Sequence, residues 1–170
     1  MKLDNKRTIL TGFAFLSICA FWQMYNSVVP LILTETFHLD ETYSGAVMAA
    51  DNVLALFLLP LFGALSDRCK SKMGRRMPFI IFGTGIAIIL MNILPLIDNS
   101  YAAQPTGFKT ASFIIVLGLL LVAMGTYRSP AVALMPDITP KQERSKGNAI
   151  VNLMGTAGAI FALVMIMLVK

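Results

Sequence analysis

Five long apolar stretches decide what this chain can fold into. They run over residues 9–33, 44–65, 78–97, 111–135 and 148–169. Each meets the roughly 20 residues that an α-helix, rising about 1.5 Å per residue, needs to cross a bilayer. The connections between them, 34–43, 66–77, 98–110 and 136–147, leave no room for a soluble domain. Hydrophobic residues make up 56% of the 170 and charged residues 14%, against about half and a quarter in soluble domains. A water-soluble fold of this size has too little interior to hide that excess. The fold class expected is all-α membrane protein with five transmembrane helices.

The first stretch follows Lys2, Lys6 and Arg7 as a signal peptide would, but it outruns a signal core and ends without a small-residue cleavage site. It is read as a retained helix. The net charge of +5 does not imply nucleic acid, because the basic residues cluster between apolar runs as a topology signal. With the N-terminus inside, the cytoplasmic segments hold Lys2, Lys6, Arg7, Arg68, Lys70, Lys72, Arg75, Arg76, Lys141, Arg144 and Lys146. The outer side holds Lys109 and Lys170. Eleven against two sets the expected orientation: a multi-pass protein of the cell membrane, N-terminus inside, with lipid as its surroundings. An odd span count ending flush at Lys170 is read as the mark of a fragment. Cys19 and Cys69 predict neither a disulfide nor a metal site, and His38 reads as a solvated connection residue.

Polar groups within the apolar stretches need a reason to be there, since lipid penalises them. Asp51 stands about 10 Å below the outer end of the second stretch, and Arg128 about 13 Å from the inner end of the fourth. One reading places both along a water-filled path, Asp51 as proton carrier or substrate acceptor and Arg128 as substrate donor. The other pairs them with each other to hold helices together. Gln23 and Asn26 in the first stretch, and Asn152 in the fifth, are further candidates for hydrogen-bonding a hydroxylated substrate or gluing helices. Gly155 and Gly158 suit close helix packing more than ligand contact.

The second connection carries the most specific pattern. It reads Gly63-Ala64-Leu65-Ser66-Asp67-Arg68-Cys69-Lys70-Ser71-Lys72-Met73-Gly74-Arg75-Arg76-Met77-Pro78-Phe79. A glycine at a helix end, an acid at the membrane surface and a closing Gly-Arg-Arg go beyond what a merely basic loop requires. This resembles the loop signature of the major facilitator superfamily, G-x-L-x-D-R-x-G-R-R, with four extra residues between Asp67-Arg68 and Gly74-Arg75-Arg76. The longer form looks like the sucrose-carrier branch, and Arg128-Ser129-Pro130 leading to Asp137 adds to the likeness.

The resemblance implies a twelve-helix carrier of two six-helix halves with substrate near the midplane. The five stretches would form most of the N-terminal half, so that 1–170 is a partial N-terminal transmembrane domain and the C-terminal half is its missing partner. Gly63, Asp67, Arg68, Gly74, Arg75 and Arg76 would form a cytoplasmic gate whose charge contacts break and re-form. The implied activity is cation-coupled, proton-coupled sugar symport by alternating access, with the fragment inactive alone. Two alternatives stay open: a carrier of the same fold for an organic anion, drug or nucleoside, and a five-helix membrane scaffold that transports nothing. No nucleophile–base set, metal-ligand spacing or phosphate loop points to an enzyme, a metal or a cofactor.

Overall fold

Each apolar stretch becomes a helix, because hydrocarbon offers the backbone no hydrogen-bond partner other than itself. The computed structural model describes residues 5–103 and 106–169, with the side chains of 5–7, 51, 103 and 169 excepted. Its long helices are α1 (Asn5–Leu31), α2 (Glu41–Arg68), α3 (Met77–Ala103), α4 (Gly107–Ile138) and α5 (Arg144–Val169). All five are long and apolar enough to cross a membrane. A π turn, Ile32–Thr36, prolongs α1, and a 3-10 turn, Lys141–Glu143, precedes α5.

Most helices run past the apolar windows that announce them. The first turn of α2 is polar Glu41-Thr42-Tyr43, and α3 carries Asp98, Asn99 and Ser100 inside its last turns. Extending an existing helix gains one bond for each residue fixed, so polar residues just beyond the hydrocarbon follow the ladder. Tyr101 has a further reason to be ordered: its ring lies 4.3 Å from that of Phe37, which also meets Phe113 at 4.7 Å. At the start of α3 the Arg76 carbonyl accepts from the Ile80 N–H at 3.2 Å. Pro78, in the first turn, sits where a missing N–H costs no bond.

The chain divides into two compact units, one of Met1–Val28 with Ala131–Lys170 and one of Val29–Pro130. In the first, α1 packs on α5 through small residues. A Cβ on Gly158 would run into the backbone carbonyl of Leu16, and one on Gly155 would lie 3.0 Å from Cys19 Sγ. Without a hydrophobic drive between helices in lipid, such close backbone approach supplies the dispersion contact that holds them. In the second unit the core lies along α4, where Phe113, Leu117, Leu120, Met124 and Tyr127 are buried together with Ala87 and Leu94 of α3. Many apolar side chains face outward, Leu56 (71% exposed) and Phe57 (68%) of α2 among them. That surface suits lipid and would be costly in water.

Replacing Gly158 by alanine is expected to lower stability by about 1–3 kcal/mol, through overpacking against Leu16. Gly85→Ala, where nothing stands within 4 Å, is expected to be neutral or to stabilise by up to about 1 kcal/mol through helix propensity. Unfolding of the two variants in the same detergent checks the contrast, and equal effects would remove the packing explanation.

Candidate functional site

The loop between α2 and α3 is held by its own polar groups. Ser66 is fully buried in the last turn of α2, and its hydroxyl donates to the Gly63 carbonyl at 2.8 Å. The same oxygen accepts from Arg76 Nη1 at 3.4 Å. Arg76 Nη2 stands 2.9 Å from Asp67 Oδ1; the arginine side chain is 9% exposed and the carboxylate 56%. A mostly buried guanidinium thus spans from the end of α2 to the start of α3, reaching one neutral and one charged acceptor. Across the loop the Gly74 N–H donates to the Ser71 carbonyl at 3.1 Å, and the Met73 N–H to Ser71 Oγ at 3.2 Å. Gly74 has φ +99°, a conformation a Cβ would strain.

This arrangement refines the expectation that the arginines act together. Arg76 alone closes the latch, whereas Arg68 and Arg75 are exposed and have no ion pair among the described residues. Adjacent residues at a helix start cannot face the same way, so the Arg-Arg pair divides between one buried partner and one solvated charge. Ser66 was not singled out as a site residue, yet it shares the buried end of the latch. The signal available for it was its place inside the loop pattern, directly before Asp67.

The membrane-embedded candidates fall into two sets. Arg128 is half-buried on α4 and belongs to the second unit, as does Asp51 on α2. The Asp51 side chain lies outside the described residues, and so does the alternative in which it pairs with Arg128. Arg128 stands between the buried Tyr127 and Ser129, whose hydroxyl donates to the Leu59 carbonyl of α2 at 2.7 Å. Ser129 is a second residue missed by pattern reading. Gln23, Asn26 and Asn152 belong to the first unit. Gln23 is half-buried and donates to Ser27 Oγ at 3.3 Å along its own helix, while Asn26 and Asn152 are exposed. No group of three or more His, Cys, Asp or Glu able to hold a metal occurs among the described residues.

The latch generates a test that needs no substrate. Arg76→Gln removes the ion pair with the exposed Asp67 and the bond to the Ser66 hydroxyl, and is expected to cost about 1–2 kcal/mol. Arg75→Gln should change stability by no more than about 0.5 kcal/mol, as exposed positions do. Thermal unfolding of both in one detergent compares them, and a larger loss from Arg75→Gln would contradict the assignment.

Comparison with known proteins agrees with this architecture. The family model described as Major Facilitator Superfamily matches residues 11–169. The chain is similar to "Sucrose transport protein SUC3" of Arabidopsis thaliana, 31% identical over 138 residues, covering 74% of this chain and 23% of the relative. It is similar to "Proton-associated sugar transporter A" of Mus musculus, 30% identical over 148 residues, with 84% and 20% covered. "Sucrose transport protein SUT1" of Oryza sativa subsp. japonica is 27% identical over 158 residues, with 85% and 29% covered. The chain therefore spans less than a third of the length of these relatives, and no solved structure matches it. With five membrane-length helices, the loop pattern in place and a family match over nearly its whole length, the chain belongs to the major facilitator superfamily.

Proposed function

We propose that this chain forms part of a proton-coupled carrier that moves a disaccharide-like sugar by alternating access. The observation that carries the reading is the company of the chain: relatives named for sucrose transport and for proton-associated sugar transport align over most of its length. A half-buried arginine in a membrane helix supplies the chemistry, because a guanidinium offers five donors in a fixed fork to oxygen-rich ligands. Arg128 is the proposed substrate donor in the second unit, and Gln23, Asn26 and Asn152 are proposed substrate-pathway residues of the first. Asp51 is the proposed coupling site. Protonation and sugar occupancy would together favour the state that reorients, with the second half of the binding site supplied by a C-terminal half.

The Asp67–Arg76 contact is the proposed gate on the cytoplasmic side of the cell membrane. Eleven cationic residues against two support an N-terminus on the inside. A latch whose carboxylate is 56% exposed is weak enough to break during a cycle, because water competes for that carboxylate. An organic anion is the second reading, favoured by the same arginine. Uptake of labelled disaccharides against labelled organic anions separates the two.

Coupling has its own test in the complete gene product. Asp51→Asn is expected to reduce sugar accumulation under a proton gradient to simple equilibration while leaving sugar–sugar exchange in place. Accumulation at the wild-type ratio would remove Asp51 from the mechanism.

A further inference from the structure

Arg128 sits in a turn of α4 that its own helix holds poorly. Pro130 has no N–H, so the bond a residue there would give to the Thr126 carbonyl is lost. The hydroxyl of Thr126 is turned the other way, donating to the Val122 carbonyl at 2.8 Å. What fixes this turn comes from the side. On one flank of Arg128, Ser129 Oγ donates to the Leu59 carbonyl of α2 at 2.7 Å. On the other flank, Tyr127 is buried against α3: a Cβ on Gly83 would lie 2.9 Å from both its backbone nitrogen and its Cβ. Gly63 of α2 leaves the space that Ser129 needs, since a Cβ there would lie 3.0 Å from the hydroxyl. Gly125 likewise makes room for Leu58, since a Cβ there would lie 3.2 Å from the leucine Cβ. Two neighbouring helices thus grip the residues before and after the arginine.

We propose that Ser129 is a positioning residue for Arg128. Its bond to Leu59 sets the depth and direction from which the guanidinium meets a sugar, in place of the backbone bond that Pro130 removes. A carbonyl has two lone pairs, so Leu59 accepts from Ser129 without giving up its own helical bond. The acceptor helix is also the one that carries Asp67 in its last turn, about 12 Å further along, so any shift of α2 at the latch reaches Arg128 through this contact. The assignment rests on the proposed role of Arg128 in sugar binding.

The test has two arms. In sucrose uptake by the complete gene product, Ser129→Ala is expected to raise KM about fivefold, the worth of one hydrogen bond. Its kcat per surface-expressed carrier should stay near wild type, and Ser129→Thr, which keeps the hydroxyl, should restore KM. A purely structural hydroxyl would lower the amount of carrier and leave KM alone. In this chain itself, the arginine Nε–H resonance of Arg128, assigned by its loss in Arg128→Lys, should move in Ser129→Ala and keep its position in Ser129→Thr. An Arg128 resonance unchanged by Ser129→Ala overturns the proposal. If that resonance moves as expected while neither Ser129→Ala nor Arg128→Lys alters KM, the positioning stands and the sugar reading of Arg128 has failed.

Discussion

Everything in this molecule follows from the inability of hydrocarbon to bond a peptide group. Each backbone N–H and C=O must find its partner inside the protein, and over five apolar stretches the helix is the way to do it. The same constraint governs the small polar side chains. Ser17, Thr34, Ser112, Thr126 and Thr156 all return their hydroxyls to a carbonyl four residues back on the same helix. Against that habit, a hydroxyl that reaches another helix is informative. Ser129 makes such a bond, and Ser66 accepts one from Arg76. These lateral bonds mark the places where the helices of the second unit are fixed to one another by direction as well as by fit.

The latch and the Arg128 turn share one helix, and that gives the unit a mechanical logic. α2 meets α4 through Leu58, Leu59 and Gly63, and in its last turn carries Ser66 and Asp67, where Arg76, just before α3, closes over it. Glycines at the contacts bring the backbones close enough for the bonds to form. Larger side chains would hold the helices apart and leave packing without direction. Under the proposed carrier function, such stiff blocks would let shape change be confined to a few chosen contacts.

Span number and the superfamily were legible in the sequence, because apolar length and a spaced Gly-Asp-Gly-Arg-Arg pattern are local properties. Helix ends were less legible. Composition reports where hydrocarbon stops, whereas the ladder stops where the backbone turns, and α3 carries Asp98 to Tyr101 in helical form beyond its apolar window. The choice of Arg76 over Arg75 was hidden as well. Both fit the pattern, and only the direction of the first turn of α3 decides which meets Asp67. Ser66 and Ser129 were hidden for a different reason: a serine in a membrane helix usually serves its own backbone, and the sequence does not say when it also takes a bond from Arg76, as Ser66 does, or gives one to another helix, as Ser129 does.

The π turn after α1 bears on how the far end of the second unit is aligned. Its wider ring, with the Phe37 N–H reaching back five residues to the Ile32 carbonyl at 3.2 Å, takes up one residue more than an α turn. In an uninterrupted α-helix the next side chain would stand about 100° further round the axis. The inserted residue therefore acts as a phase shifter. It turns Phe37 to an azimuth that an unbroken α-helix would not give it, and there its ring meets those of Tyr101 and Phe113.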